Sequence, residues 1–125
     1  MKLLAIILSL LYVTPVYVVE KYPKLTFLDK RIVDLKKVKQ GTVVKHTFHL
    51  KNCGEAPLIF LDVQKSCNCT SAEISQNILQ PNEEGSIEIE IDTKGKIGTT
   101  TISIVLETNT TDKEYALRIS MDVVK

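Results

Sequence analysis

The chain has no tryptophan, only five glycines and four prolines, and just two histidines and three cysteines in its 125 residues. Each shortage closes off a class of protein. Without tryptophan there is no large aromatic of the kind that fills the centre of an antibody-type domain. Nowhere do the glycines gather into a loop that could cradle a phosphate, and no Gly-x-Ser-x-Gly elbow presents a nucleophile. Charge of neither sign dominates, because 16 Lys and Arg face 15 Asp and Glu for a formal net charge of +1. Long-range attraction to nucleic acid or to anionic lipid therefore has no source. Internal repeats, low-complexity tracts and long linkers are likewise missing.

One long apolar run is present, at the start. Met1-Lys2, the run Leu3 to Leu8, and Ser9-Leu10-Leu11-Tyr12-Val13 reproduce the charged head and short apolar body of an export signal. Residues 1–20 are accordingly expected to be a signal peptide. The run is shorter than the roughly 20 residues a spanning helix needs, and Pro15 interrupts it. If the segment is retained, residues 3–19 are the one part of the chain that would sit in the membrane, as an anchor. No cysteine follows the run to take a lipid. The remainder, residues 21–125, is enough for one core and one domain, expected in the periplasm or outside the cell, or tethered to the inner membrane when the anchor stays.

Within that remainder the apolar residues recur with a period of two and nowhere with the period of a helix. In Ser86-Ile87-Glu88-Ile89-Glu90-Ile91-Asp92 every second residue is isoleucine, which as a strand gives one face to a core and one to water. The ladders Tyr115-Leu117-Ile119-Met121-Val123, Ile102-Ile104-Leu106 and Val44-His46-Phe48-Leu50 repeat the pattern. Pro57 to Val63 is more continuously apolar, as expected of a strand covered on both faces or lying centrally. Leu25-Thr26-Phe27 and Ile32-Val33-Asp34-Leu35 open the domain, while Lys36, Lys37 and Lys39 beside Gly41 read as a solvated loop. Turn residues divide the runs at Asn52–Pro57, Gln80–Gly85, Lys94–Gly98 and Asn109–Lys113. About seven short strands in about a hundred residues predict an all-β, immunoglobulin-like Greek-key β-sandwich.

The order of these motifs resembles a bacterial exported family, the domain of unknown function numbered fifteen-seventy-three. The residues that carry the resemblance are Thr47-Phe48-His49-Leu50-Lys51-Asn52, Gly54, Ala56-Pro57-Leu58-Ile59, Val63 and Ser66-Cys67-Asn68-Cys69-Thr70. It continues through Ile78, Pro81, Gly85, Ile87-Glu88-Ile89, Asp92-Thr93-Lys94-Gly95, Gly98 and Thr108-Asn109, nearly the whole chain after residue 23. The resemblance implies an exported immunoglobulin-like fold, broadly similar to major-sperm-protein and Hydin-type modules, and no known activity. Against the family pattern, Asn68 replaces the glycine between the two cysteines, Cys53 replaces a threonine, and Asn82 replaces the glycine after Pro81. Asparagine can still take a left-handed turn conformation, less freely than glycine.

Cys67 and Cys69 are the one point of distinctive chemistry. Two thiols a residue apart can close a small strained ring with a raised reduction potential, stay as a reactive pair, or hold a soft ion such as copper(I). They can equally be a structural turn, supported by Ser66, Asn68 and Thr70. Zinc would need more ligands, and His46 and His49 project to opposite faces of one strand, so they cannot chelate an ion together. His46 is expected at the edge of the core and His49 in solvent. Cys53 is expected to be unpaired, since a strand of ~3.3 Å per residue separates it from Cys67 by more than about 15 Å, too far for a disulfide. Asn68-Cys69-Thr70 and Asn109-Thr110-Thr111 fit the glycan-acceptor pattern, which is common by chance. Glu88, Glu90 and Asp92 read as a wet strand face. No residue is expected to be catalytic. The expected function is an exported non-enzymatic module that binds another envelope or secreted protein or assembles into an envelope structure. The alternative is a small thiol protein in which Cys67 and Cys69 exchange electrons or bind copper(I).

Overall fold

The computed structural model describes residues 12–15 and 20–125, so most of the expected signal segment, residues 1–11 and 16–19, lies outside the described residues. The strands are β1 (Leu25–Phe27), β2 (Ile32–Lys39), β3 (Val43–Asn52), β4 (Leu58–Lys65), β5 (Thr70–Ile74), β6 (Ile78–Leu79), β7 (Glu84–Asp92), β8 (Gly98–Thr108) and β9 (Glu114–Val124). They form two sheets, ordered β1-β3-β7-β5 and β2-β9-β8-β4-β6. The all-β sandwich expected from the alternation is what the chain forms, with nine strands among the described residues where about seven were legible. The two extra strands, β5 and β6, are five and two residues long. Neither is long enough to display a periodicity of its own.

Alternation decides which face is buried. Ile87, Ile89 and Ile91 of β7, Ile104 and Leu106 of β8, and Leu117 and Ile119 of β9 are fully buried between the sheets, together with Phe48 and Leu50 of β3. Burying each such side chain contributes about 1.5–3 kcal/mol relative to leaving it in water. In the absence of tryptophan, the bulkiest buried side chains include Phe48, Phe60 and Met121. At one end Tyr115 Oη meets Thr110 Oγ1 at 2.9 Å, and Thr110 Oγ1 meets Thr108 Oγ1 at 2.8 Å, so the buried hydroxyls satisfy one another. Asn109, the start of one glycan-like triplet, donates Nδ2 to Pro57 O at 3.1 Å and accepts from Ile59 N at 2.8 Å. Its amide is thus occupied in joining two loops.

Two expectations need correcting. Lys36, Lys37 and Lys39 do not form a loop: they lie in β2, which pairs parallel with β9 at the edge of its sheet. Its ladder shifts register between Asp34 and Lys37, where Lys36 takes a φ of 61° and its N–H bonds Asp34 Oδ1 at 2.8 Å. A bulge and a row of lysines are what keeps an edge strand from recruiting another. Nor is β4 central or covered on both faces. It lies beside the two-residue β6, and its pairing with β8 jumps from Phe60 to Asp62. Leu58 and Phe60 are buried while Ile59 is only partly covered and Leu61 is 58% exposed, so the four consecutive apolar residues alternate as in any strand and do not require two covered faces. The bulge acts beyond them, leaving Asp62 exposed and turning Val63 to the core.

Candidate functional site

The Cys67-Asn68-Cys69 element links β4, near the edge of one sheet, to β5, at the edge of the other. The chain must change sheets there, and a tight turn lets it do so. Thr70 N donates to Cys67 O at 3.2 Å, Cys69 N to Cys67 Sγ at 3.1 Å, and Asp92 N to Cys69 O at 2.9 Å. Ser66 fixes the approach, its N–H on Ser103 O at 3.0 Å and its Oγ accepting from Ser103 N at 2.9 Å. Cys67 and Cys69 are joined by a disulfide with alpha carbons 5.2 Å apart. Both are half-buried against the core, while Asn68 is exposed. Asn68 does not take a positive φ, in contrast to Asn82, whose φ is 68°. In this chain the left-handed conformation is therefore used at the Pro81-Asn82 turn, where asparagine adopts it, and not between the cysteines.

A shallow hollow of about 270 Å³ borders the pair, lined by Val43, Asn68, Cys69, Thr70, Ser71, Glu90 and Asp92. Its charged members are carboxylates, and the nearby Lys45 is engaged with Glu90 at 3.2 Å. A thiolate is favoured by neighbouring cations or a helix N-terminus; here it would face like charge. The surroundings therefore suit the oxidised pair better than a reactive thiol.

Cys53 stands apart, exposed and free, in the turn after β3. Its neighbour Asn52 is what the sequence pattern gave no energetic weight. Asn52 is fully buried, with Oδ1 accepting from Lys24 N at 3.2 Å and Gly54 N at 2.9 Å. Its Nδ2 donates to Ala56 O at 2.8 Å and Leu79 O at 2.9 Å. The N-terminal approach, the β3–β4 turn and β6 are thus tied to one side chain. The signal available beforehand was the Asn-x-Gly spacing itself.

The histidines are separated as alternation requires. His46 is half-buried with its ring 4.7 Å from that of Phe48, and His49 faces out to Asp29. Both the backbone N–H and Nδ1 of His49 lie 2.7 Å from Asp29 Oδ2. The backbone bond first, then the side-chain bond, holds the Asp29 carboxyl below its ordinary value of 3.8. Because the folded state lowers this pKa, the stabilisation is fully present above that ordinary value and is lost as pH falls through the lowered one. Asp29→Asn is therefore expected to flatten the acid side of the stability–pH curve. Urea unfolding across pH checks it, and an unaltered acid limb would exclude the Asp29–His49 contact as a contributor. Among the described residues no three His, Cys, Asp or Glu side chains gather as a metal site.

The family model of DUF1573, a protein of unknown function, matches residues 26–123. A comparison with curated proteins gave no match. Among solved structures, a protein of unknown function from Porphyromonas gingivalis W83 aligns with a TM-score of 0.67 at 15% identity, over 82% of this chain and 46% of that one. The ASH / PapD-like domain 7 of human CEP192 gives 0.64 at 9% identity, covering 83% and 87%. A family 123 glycoside hydrolase from Clostridium perfringens gives 0.68 at 12%, over 78% of this chain and 23% of that enzyme. The chain spans less than half of the Porphyromonas protein and under a quarter of the hydrolase, and identities this low speak to fold alone. Matched by its family model from Thr26 to Val123, across all but the ends of the sandwich, the chain belongs to the DUF1573 family.

Proposed function

We propose that this protein is an exported, non-enzymatic sandwich module that binds another protein of the envelope or cell exterior. The observation that carries the reading is the incomplete cover of the second sheet's edges. On one side β6 pairs with only Leu58 and Ile59 of β4 and the ladder ends at the bond from Phe60 N to Asn77 O, so beyond it that side of β4 has no strand partner among the described residues, with Leu61 in solvent. On the other, β2 begins opposite Arg118, while β9 already runs from Glu114. Unpaired strand edges offer a partner main-chain hydrogen bonds, with exposed side chains setting the choice. Similarity to a PapD-like domain agrees with such a module in fold only.

The test is photo-crosslinking in intact cells with a reactive amino acid placed in turn at Leu61, Asn68 and Ala116. A discrete protein adduct from at least one position is expected. Adducts from none of the three would end the reading.

A second reading, thiol exchange or copper(I) binding by Cys67 and Cys69, draws support from the pair's partial exposure beside an open hollow. The double variant Cys67→Ser, Cys69→Ser separates the two. The cross-link closes a loop with a sequence separation of only 2, and so short a loop limits the loss of stability to about 2 kcal/mol. The variant is expected to stay folded by circular dichroism and to keep its cross-linked adducts. Adducts that vanish together with copper(I) uptake or thiol exchange would give the site to the thiols instead.

A further inference from the structure

At the start of β2 the second sheet has a notch. Arg118 N donates to Arg31 O at 2.8 Å, on the side of β9 that faces β2. In a strand, residues two apart aim their N–H and C=O the same way. The backbone groups of Ala116 therefore point to that side too, where β2 places no residue opposite them. A groove of about 520 Å³ occupies the notch, lined by Lys30, Arg31, Ile32, Ala116 and Arg118.

Its chemistry is one-sided. Three of these five residues are cations, and none of the three joins an ion pair among the described residues. Arg31 is held in place, its guanidinium 5.4 Å above the Phe27 ring, which in turn packs edge-on against Tyr115 at 5.8 Å. Ile32, 69% exposed, adds an apolar wall. Beyond Ala116 the sheet face turns acidic, with Glu107 paired across from Glu114. A carboxylate is thus attracted at the Arg31–Arg118 end and repelled at the other, which gives a ligand a direction.

We propose that this groove docks an extended acidic segment of a partner protein, a claim that rests on the binding-module reading above and names its chemistry. The segment's main chain pairs with the Ala116 edge of β9, its carboxylates meet Arg31, Arg118 and Lys30, and an apolar side chain covers Ile32. A lone small anion would use the cations but neither the strand edge nor Ile32, so an extended peptide makes fuller use of the site.

The experiment is fluorescence anisotropy of the folded protein with a short labelled peptide alternating valine and aspartate. Comparison probes are a valine–lysine peptide and the acidic peptide N-methylated at alternate residues. The acidic peptide is expected to bind. Arg118→Glu is expected to weaken it by about tenfold or more, as reversing a close charge at an interface does, and Arg118→Gln by less. Added salt should weaken it further, since the charges are exposed. The N-methylated probe should bind at least as poorly as the Arg118→Glu variant binds the parent. The inference is overturned if the acidic peptide fails to bind, if the lysine peptide binds as well, or if N-methylation changes nothing, which would leave a bare anion site. Self-association abolished by Arg118→Glu would overturn it too, by making a second copy the occupant. Adducts at Leu61 or Asn68 without peptide binding here would sink this groove alone and leave the binding-module reading standing.

Discussion

Asn52→Ala is expected to lower the unfolding free energy by about 4 kcal/mol, since each buried backbone group left without its partner costs about 1–3 kcal/mol. Four such groups depend on this side chain: Lys24 N, Gly54 N, Ala56 O and Leu79 O. The total falls below four times the upper figure because Lys24 and Ala56 lie near enough to the surface for water to take up part of the loss. Asn52 also holds two main-chain bonds, Asn52 N to Glu83 O at 3.1 Å and Asn82 N to Asn52 O at 2.8 Å, which alanine keeps. Asn52→Asp sharpens the test. It preserves the accepting oxygen but aims a second oxygen at the Ala56 and Leu79 carbonyls, so it is expected to be as damaging at neutral pH. It should recover in part on acidification, when a protonated carboxyl can donate. Urea unfolding of the two variants reads both effects. A loss below about 1 kcal/mol for the alanine variant, ordinary for any point mutation, would show that Asn52 does not tie these segments together.

Gly54→Ala carries the second large effect, by a different route. Gly54 does not have a positive φ, so its conformation is open to alanine. The space is not. A Cβ there would lie 2.5 Å from Lys24 N and 2.7 Å from Pro23 C, and would overlap Tyr22 O. These are main-chain atoms that cannot swing aside as a side-chain end would. Relief requires the approach to β1 to lift from the turn, against Cys53 N on Lys24 O at 2.8 Å and Glu55 N on Tyr22 O at 2.9 Å. The expected cost is about 3 kcal/mol, at the upper end for overpacking, with faster hydrogen exchange at the Cys53 and Glu55 amides. Gly41→Ala is the control: it meets nothing within 4 Å but has a φ of 88°, so it should cost only about 1–2 kcal/mol through backbone strain. Equal effects at the two positions would mean that crowding at Gly54 has been relieved by a shift elsewhere.

Ile87, Ile89 and Ile91 could be assigned to a core in advance, because a period of two can bury one side only as a strand. The same arithmetic separated His46 from His49. It was hidden in Leu58 to Leu61, where the outward Ile59 and Leu61 are apolar too. It failed beyond them, where a bulge leaves Asp62 in solvent and turns Val63 to the core, and for Lys36, whose bulged strand is held by β9. A bulge is a choice made by the partner strand, and no local pattern records it. Cys67 and Cys69 were legible as a pair, because one residue of separation places two sulfurs within bonding reach. The carboxylates beside them were not, since Glu90 and Asp92 arrive from β7, about twenty residues on.

By itself, then, the sequence determined the strands other than β5 and β6, the inward faces of those that alternate without a bulge, and the dithiol turn, all of which depend on neighbours within a few residues. Tertiary structure alone decided that Asn52 gathers three segments, that Asp29 meets His49, and that Lys30, Arg31 and Arg118 stand together beside an open strand edge. The physical reason is that side-chain direction along a strand is fixed by local geometry, whereas which edges stay unpaired and which charges converge follow from how the two sheets close on each other.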